Sequence, residues 1–143
     1  MIYADYTFYK SGYHGTEIDE VAFPSLAARA SAFLDYFTLG KSRLNEDMEA
    51  VKMACCALAE KYSEIESLSV AAKKSVAESI SSGKKSESVG SYSVTYQTAG
   101  ELKDMVSVAK SELAEICRFY LAGTNLLYRG GCGSVHTSYC NRL

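Results

Sequence analysis

The chain has little proline, glycine and histidine and no tryptophan, and these shortages exclude several classes of protein. Its 143 residues include one proline, 10 glycines and two histidines. So few prolines and glycines exclude collagen-like and low-complexity architectures. No apolar run approaches the roughly 18 residues of a membrane-spanning helix. The opening residues MIYADYTFYKSGYHG lack the basic start and apolar stretch of a signal peptide, so we expect the chain to stay in the cytosol of the cell that makes it.

The charge balance and the apolar content predict a single packed domain. Fifteen Lys and Arg oppose 17 Asp and Glu, for a formal charge of -2, so no global basic field indicates nucleic-acid binding. An apolar fraction of 48% supports a hydrophobic core. Five cysteines are an odd number, which in the cytosol favours free thiols over disulfides. Tyrosine is enriched at protein interfaces, so the 11 tyrosines of the chain indicate assembly.

Apolar spacing and end signals predict four helices. The aromatic opening before Gly12 predicts a short helix at about Asp5–Ser11, followed by a loop. A proline in its first turn and apolar positions at helical spacing predict a helix over Phe23–Thr38. A wide apolar stripe closed by Gly123 predicts the last helix at Ala99–Ala122.

The third of these helices is predicted to begin at Asn45, a good N-cap residue, and to reach at least Glu66. Its apolar residues are alternately three and four positions apart, as on a helix that packs along another helix. They are Met48, Val51, Cys55, Leu58, Tyr62 and Ile65. Ser67 and Ser69 weaken the pattern, so Val70–Ile80 either continues this helix or forms a separate one.

Between the last two long helices the pattern changes to a period of two. Tyr92, Val94 and Tyr96 alternate with polar residues, which predicts a strand over Ser91–Gln97. Its backbone needs a partner, either Glu87–Gly90 in a small hairpin or a strand of another subunit. The expected fold class is mainly α: a small bundle of about four helices with a short β-strand or hairpin between the last two long helices. The expected core contains Phe33, Phe37, Val51, Cys55, Leu58, Leu113, Ile116 and Tyr120.

Residues with catalytic potential are few and scattered. No local motif places a Ser or Cys nucleophile beside His14 or His136, which are the two histidines. Cys132, His136 and Cys140 form a C-x3-H-x3-C run, but structural zinc needs four ligands and usually a tight C-x2–4-C pair. We therefore expect no enzyme activity, no metal, no cofactor and five reduced thiols.

Several charged residues are predicted to form solvated surface. Glu60, Glu64, Asp104 and Glu112 lie on predicted helix faces among Lys and Ser residues, which is typical of exposed faces and not of an acid–base pair. Two lysine pairs make the stretch 73–85 mildly basic. That stretch is either a solvated linker or a contact to phosphates.

Five segments of the chain occur in an order that matches one family of virion proteins. They are YADYTFYK, LAARASAFLDYFTLGKSR, VKMACCALAE, SESVGSYSVTY and YLAGTNLLYRG, and they cover most of residues 3–130. In these segments the chain resembles the head–tail connector proteins, also called adaptor or head-completion proteins, of tailed bacteriophages and prophages of Gram-positive bacteria. The most specific part is SESVGSYSVTY followed, after one helix, by YLAGTNLLYRG.

The resemblance implies a single helical connector domain over 1–130, followed by a Gly-rich tail over 131–143 that lies outside the resemblance. It implies a ring of about twelve copies beneath the portal protein of the virion, extending the channel for the genome DNA without sequence-specific binding. The next neck or tail-completion protein would attach to this ring, and neither an active site nor a membrane is implied. The alternative function is a small cytosolic helical regulatory or protein-interaction module.

Two segments are candidate contacts with a neighbouring subunit or with the portal. The strand Ser91–Gln97 has no clear partner, and exposed strand edges pair readily with other chains. The segment Leu126–Arg129 is apolar and follows the last helix. Interface residues are therefore expected among Tyr92, Val94, Tyr96, Leu126, Leu127, Tyr128 and Arg129. The alternative is that Tyr92 and Tyr96 cover the helices of their own subunit.

Overall fold

A computed structural model describes residues 1–82 and 99–128. These residues form four α-helices: α1 (Tyr6–Ser11), α2 (Phe23–Phe37), α3 (Glu49–Ser82) and α4 (Ala99–Leu121). Short 3-10 helices occupy Lys41–Asn45 and Asn125–Leu127. Within the described residues the fold is mainly helical and has no strand, so the expected helical class is confirmed. The predicted strand over Ser91–Gln97 and the tail over 131–143 lie outside the described residues.

The first two helices begin and end close to their predicted bounds. The Asp5 side chain accepts a hydrogen bond from the Phe8 backbone N–H at 2.7 Å and so caps α1. The α2 helix has its proline in the first turn and ends at Phe37. There the chain reverses through two left-handed residues, Leu39 with φ 55° and Gly40 with φ 80°.

The third helix begins later than predicted. Asn45 is not its N-cap: it ends the 3-10 helix Lys41–Asn45, and its side-chain amide donates to the Lys41 carbonyl at 2.9 Å. The helix starts at Glu49 and is continuous to Ser82, which decides between the two alternatives for its second half. Ser67 does not end it, because its hydroxyl donates to the Ser63 carbonyl one turn earlier, within the helix.

Helices α2 and α4 both run antiparallel to α3. Ser31 of α2 meets Cys55 of α3 with 3.4 Å between Oγ and Sγ. The Lys61 ammonium of α3 contacts the Glu112 carboxylate of α4. At about 1.5 Å per residue, α2 is about 22 Å long and α3 about 51 Å, so α2 covers only the first half of α3. We call residues 1–66 and 111–128 the body, and residues 67–82 of α3 with 99–110 of α4 the arm.

The core of the body contains the predicted helix residues and an N-terminal contribution that the sequence did not predict. Val51, Cys55, Leu58 and Leu113 are buried, as predicted. The other four predicted core residues, Phe33, Phe37, Ile116 and Tyr120, are partly buried and pack against it. The segment before α2 adds further buried side chains, namely Tyr3, Ala4, Tyr9 and Ile18, and Phe23 joins them from the first turn of α2.

Candidate functional site

A cleft of about 730 Å³ opens between the N-terminal segment, α3 and α4. Ala57, Ile116 and the rings of Tyr13 and Tyr120 supply its apolar and aromatic lining. Its other lining residues are polar or charged: Glu17, Glu60, Lys61, Ser63, Glu64 and Ser67. We call this feature the carboxylate cleft.

Glu60 anchors two tyrosines of the N-terminal segment to α3. Its two carboxylate oxygens accept hydrogen bonds from the Tyr9 hydroxyl at 2.8 Å and from the Tyr13 hydroxyl at 2.9 Å. The Tyr9 oxygen also accepts from the backbone N–H groups of Glu17 and Ile18, at 3.0 and 3.1 Å. The prediction that Glu60 is solvated surface is therefore wrong, because these contacts leave it only partly exposed.

The backbone between the two anchored tyrosines and α2 closes tightly over the ring of Tyr9. A Cβ at Gly15 would overlap that ring, so this position has room only for glycine. The Gly15 N–H donates to the Tyr9 carbonyl at 2.9 Å, and the Lys10 ammonium donates to the Gly15 carbonyl at 3.0 Å. These two hydrogen bonds hold the backbone at Gly15 against Tyr9 and Lys10 of α1.

The two tyrosines that bind Glu60 act as hydrogen-bond donors at neutral pH. Burial, together with the hydrogen bond to Glu60, raises the pKa of Tyr9 from 10.0 to about 12. The same two causes raise the pKa of Tyr13 well above its ordinary value. Groups that hold their protons so firmly are poor general bases near neutral pH. The arrangement therefore favours structural anchoring and binding over proton transfer.

The single lysine of the cleft is shared by carboxylates. The Lys61 ammonium lies 2.7 Å from a Glu64 oxygen and also contacts Glu112. Burial alone would lower the pKa of Lys61, but the two carboxylates outweigh it and raise the pKa. Glu17, Glu60 and Glu64 against one ammonium give the cleft a net negative charge.

A second groove, of about 420 Å³, lies on the arm between α3 and α4. Its charged lining residues, among the part of the chain that the structure describes, are Lys73, Lys103 and Lys110. Ser69, Ala72, Val106 and Ser107 complete it. We call it the lysine groove. Lys73 belongs to the stretch 73–85 that the sequence marks as basic, whereas the two lysines from α4 come from a different part of the chain.

One end of the body exposes large apolar side chains. It is the end at which α2 and α4 both finish, since the Arg118 guanidinium lies 5.8 Å from the centre of the Phe37 ring. Tyr36, Leu39, Leu44 and Tyr128 are all exposed here, Leu44 by 86% and Tyr128 by 60%. The Lys41 ammonium contacts the Tyr128 carbonyl and lies 6.0 Å from the centre of its ring, which joins the segment after α2 to the segment after α4. We call these four residues the apolar end.

The predicted interface residues differ in exposure. Leu126 is buried in the core of its own chain, and Leu127 packs against that core, so among the three described residues only Tyr128 has a largely exposed side chain. The remaining predicted interface residues, Tyr92, Val94, Tyr96 and Arg129, lie outside the described residues. That these two segments contact another subunit stays a prediction.

The described cysteines are free and buried. They are Cys55, Cys56 and Cys117. Burial raises the pKa of all three thiols, that of Cys56 and of Cys117 to about 12, so none of them is an activated nucleophile. His14 is exposed. The described residues include no group of three or more His, Cys, Asp or Glu side chains placed to hold a metal ion, while the C-x3-H-x3-C run falls outside them.

In comparisons with known proteins, no family model, no curated protein and no solved structure matches the chain. None of the described helices is long and apolar enough to span a membrane.

Proposed function

We propose that this chain is a structural subunit of a head–tail connector ring of a tailed bacteriophage or prophage. In this role it docks beneath the portal, extends the DNA channel and carries the next neck or tail component. The ordered resemblance of five segments over residues 3–130 supports the proposal. A mainly helical bundle is also the fold that the resemblance implies.

The observation that carries the proposal is the apolar end. Large apolar side chains grouped on a protein surface typically mark a contact with another protein. Tyr36, Leu39, Leu44 and Tyr128 are exposed on a body whose core is fixed by three helices and the N-terminal segment. Tyr128 also belongs to YLAGTNLLYRG, one of the two most specific segments of the resemblance. The apolar end is therefore the surface that we assign to the portal.

The test measures binding of the purified chain to purified portal. Wild type is expected to form a complex of ring mass with the portal, seen by light scattering and as an added layer in projection images. Leu44→Ser and Tyr128→Ser are each expected to weaken that complex by at least about tenfold, because each removes an exposed apolar contact of roughly 1.5–3 kcal/mol.

Val21→Ser is the matched control, because Val21 is also exposed but precedes α2, at the opposite end of that helix. It is expected to bind the portal as wild type does. A wild-type chain that ignores the portal and instead retards DNA in a gel would contradict the proposal. That outcome would favour the small regulatory module.

A further inference from the structure

The α3–α4 pair carries two surfaces of opposite charge. In the carboxylate cleft the only described cation, Lys61, is already bound by Glu64 and by Glu112. In the lysine groove every charged lining residue that the structure describes is a lysine. Val106 and Ala72 add apolar side chains to the lining of this groove. A negative cleft and a positive groove on one chain are electrostatically complementary to each other.

The two surfaces face different sides of α3. Lys73 follows Glu64 by nine positions. Nine positions are about two and a half helical turns, so these side chains leave α3 on opposite sides. A two-fold dimer joins the same face of both copies and would need both surfaces on one face. Surfaces on opposite sides instead permit a head-to-tail contact, in which each copy offers a different surface to each neighbour.

We propose that the lysine groove of one copy binds the carboxylate cleft of the next copy, head to tail. This inference rests on the connector ring proposed above and assigns the residues of the contact between ring subunits. Lys73, Lys103 and Lys110 of one subunit face Glu17 and Glu64 of its neighbour. Repeated around an axis, such a contact closes into a ring when the rotation between copies permits it.

A second copy of the chain would provide a partner for both charged surfaces, whereas DNA would provide a partner for the lysine groove alone. A phosphate backbone would also attract three lysines. It would leave the carboxylate cleft without a partner, and the chain as a whole carries a formal charge of -2, which does not favour a polyanion. DNA binding through the lysine groove is therefore an outcome of the test and not the proposal.

The test uses two charge-reversed variants of the full-length chain, Glu64→Lys in the cleft and Lys73→Glu in the groove. Both residues are exposed, so each variant is expected to keep the wild-type helical spectrum. Glu20→Lys and Lys74→Glu are the matched controls, because both residues are exposed but line neither surface. Self-association is measured by sedimentation at rising protein concentration, in low salt and in about 1 M salt, where the Debye length falls to about 3 Å.

Wild type and both controls are expected to associate in low salt and to dissociate in high salt. Each test variant alone is expected to associate at least about tenfold more weakly, because like charges then meet across the contact. An equimolar mixture of the two variants is expected to regain wild-type association. In that mixture each cleft with Glu64→Lys meets a groove with Lys73→Glu, so the exchanged pair is again opposite in charge, and each native cleft meets a native groove. A folding defect would not be repaired by mixing.

Three results would overturn the inference: wild type that stays monomeric in low salt, a mixture that does not regain association, or a groove variant that loses only DNA binding. The portal experiment separates this inference from the proposed function. If both charge variants bind the portal as wild-type rings do, the connector function stands and the charged contact is wrong. If wild type associates as expected but ignores the portal, the contact stands and the connector function is wrong.

Discussion

The body and the arm are built from the same two long helices, but they use apolar side chains differently. In the body, Val51 and Leu58 of α3 and Leu121 of α4 are fully buried. In the arm, Val70 of α3 is 64% exposed and Val108 of α4 is 59% exposed. The difference arises because α2 and the N-terminal segment cover the pair in the body, whereas in the arm the described parts of α3 and α4 pack against each other.

Buried apolar side chains stabilise the chain, whereas exposed side chains are available to its partners. Burial of apolar area is the main source of folding free energy, so the body supplies most of the stability of the described residues. The arm contributes little apolar burial but presents three lysines on a continuous helical frame. We therefore expect substitutions of buried body residues to change stability, and substitutions of exposed residues, whether on the arm or on the surface of the body, to change association.

The largest expected effect is the difference in stability loss between truncating a buried leucine of the body and truncating an exposed valine of the arm. Leu58→Ala is expected to lower the free energy of unfolding by about 2–5 kcal/mol, because it leaves a cavity in the core. Val108→Ala, a truncation on the arm, is expected to change it by no more than about 0.5 kcal/mol. Urea unfolding followed by circular dichroism measures both. Equal losses in the two variants would contradict the distinction between body and arm.

A smaller effect is expected where the N-terminal segment joins the body. Tyr9→Phe removes the hydroxyl that donates to Glu60 and accepts from two backbone N–H groups. Leaving such buried groups without partners costs about 1–3 kcal/mol. Tyr36→Phe, at an exposed ring, is the control, and urea unfolding at neutral pH is the measurement. Wild-type stability in Tyr9→Phe would mean that the hydroxyl does not hold the segment in place.

Tyr9 also makes a specific contribution to stability at alkaline pH. Its pKa is about 12 in the folded chain against 10.0 in the unfolded one. The stabilisation is complete below pH 10 and is lost as pH rises toward 12, since the unfolded chain releases this proton first. The loss is about 1.4 kcal/mol per pH unit, and Tyr9→Phe should lack it. An unchanged alkaline slope in the variant would assign the loss to other tyrosines.

The smallest expected effect lies at the boundary between body and arm. Arg29 of α2 forms an ion pair with Glu66 of α3, and both side chains are about half exposed. Exposed pairs of this kind contribute about 0–1 kcal/mol. A double-mutant cycle with Arg29→Ala and Glu66→Ala is expected to give a coupling energy in that range, reduced further in high salt. A coupling energy well above about 1 kcal/mol would mean that this ion pair, and not apolar burial, holds α2 to α3 at the boundary between body and arm.

Local signals predict the bounds of α2 and α4, but they do not predict where α3 begins or how far it continues. The bounds of α2 and α4 are within about one residue of prediction, because proline, glycine and apolar spacing act locally. The start of α3 is wrong because the side chain of Asn45 bonds to Lys41 instead of capping the helix. The continuation of α3 beyond Glu66 stays open from the sequence, because packing along α4 compensates for weak serine propensity.

The candidate sites were harder to predict than the helices. Glu60 resembles any other glutamate on a solvated helix face, and its two tyrosine partners come from 51 and 47 positions earlier in the chain. The one local hint is Gly15, which follows the tyrosines and packs on Tyr9. The lysine groove combines one lysine from α3 with two from α4, so only the antiparallel pairing of the helices reveals it.

The turn after α2 holds a leucine in a backbone conformation that suits glycine. Leu39 has φ 55°, and a left-handed residue with a Cβ costs about 1–2 kcal/mol. Packing in its own chain does little to offset that strain, since the side chain is 67% exposed. Folding alone would therefore favour glycine at this position. Leucine at position 39 makes the isolated chain less stable than it could be, and it places an exposed apolar side chain where a partner can cover it.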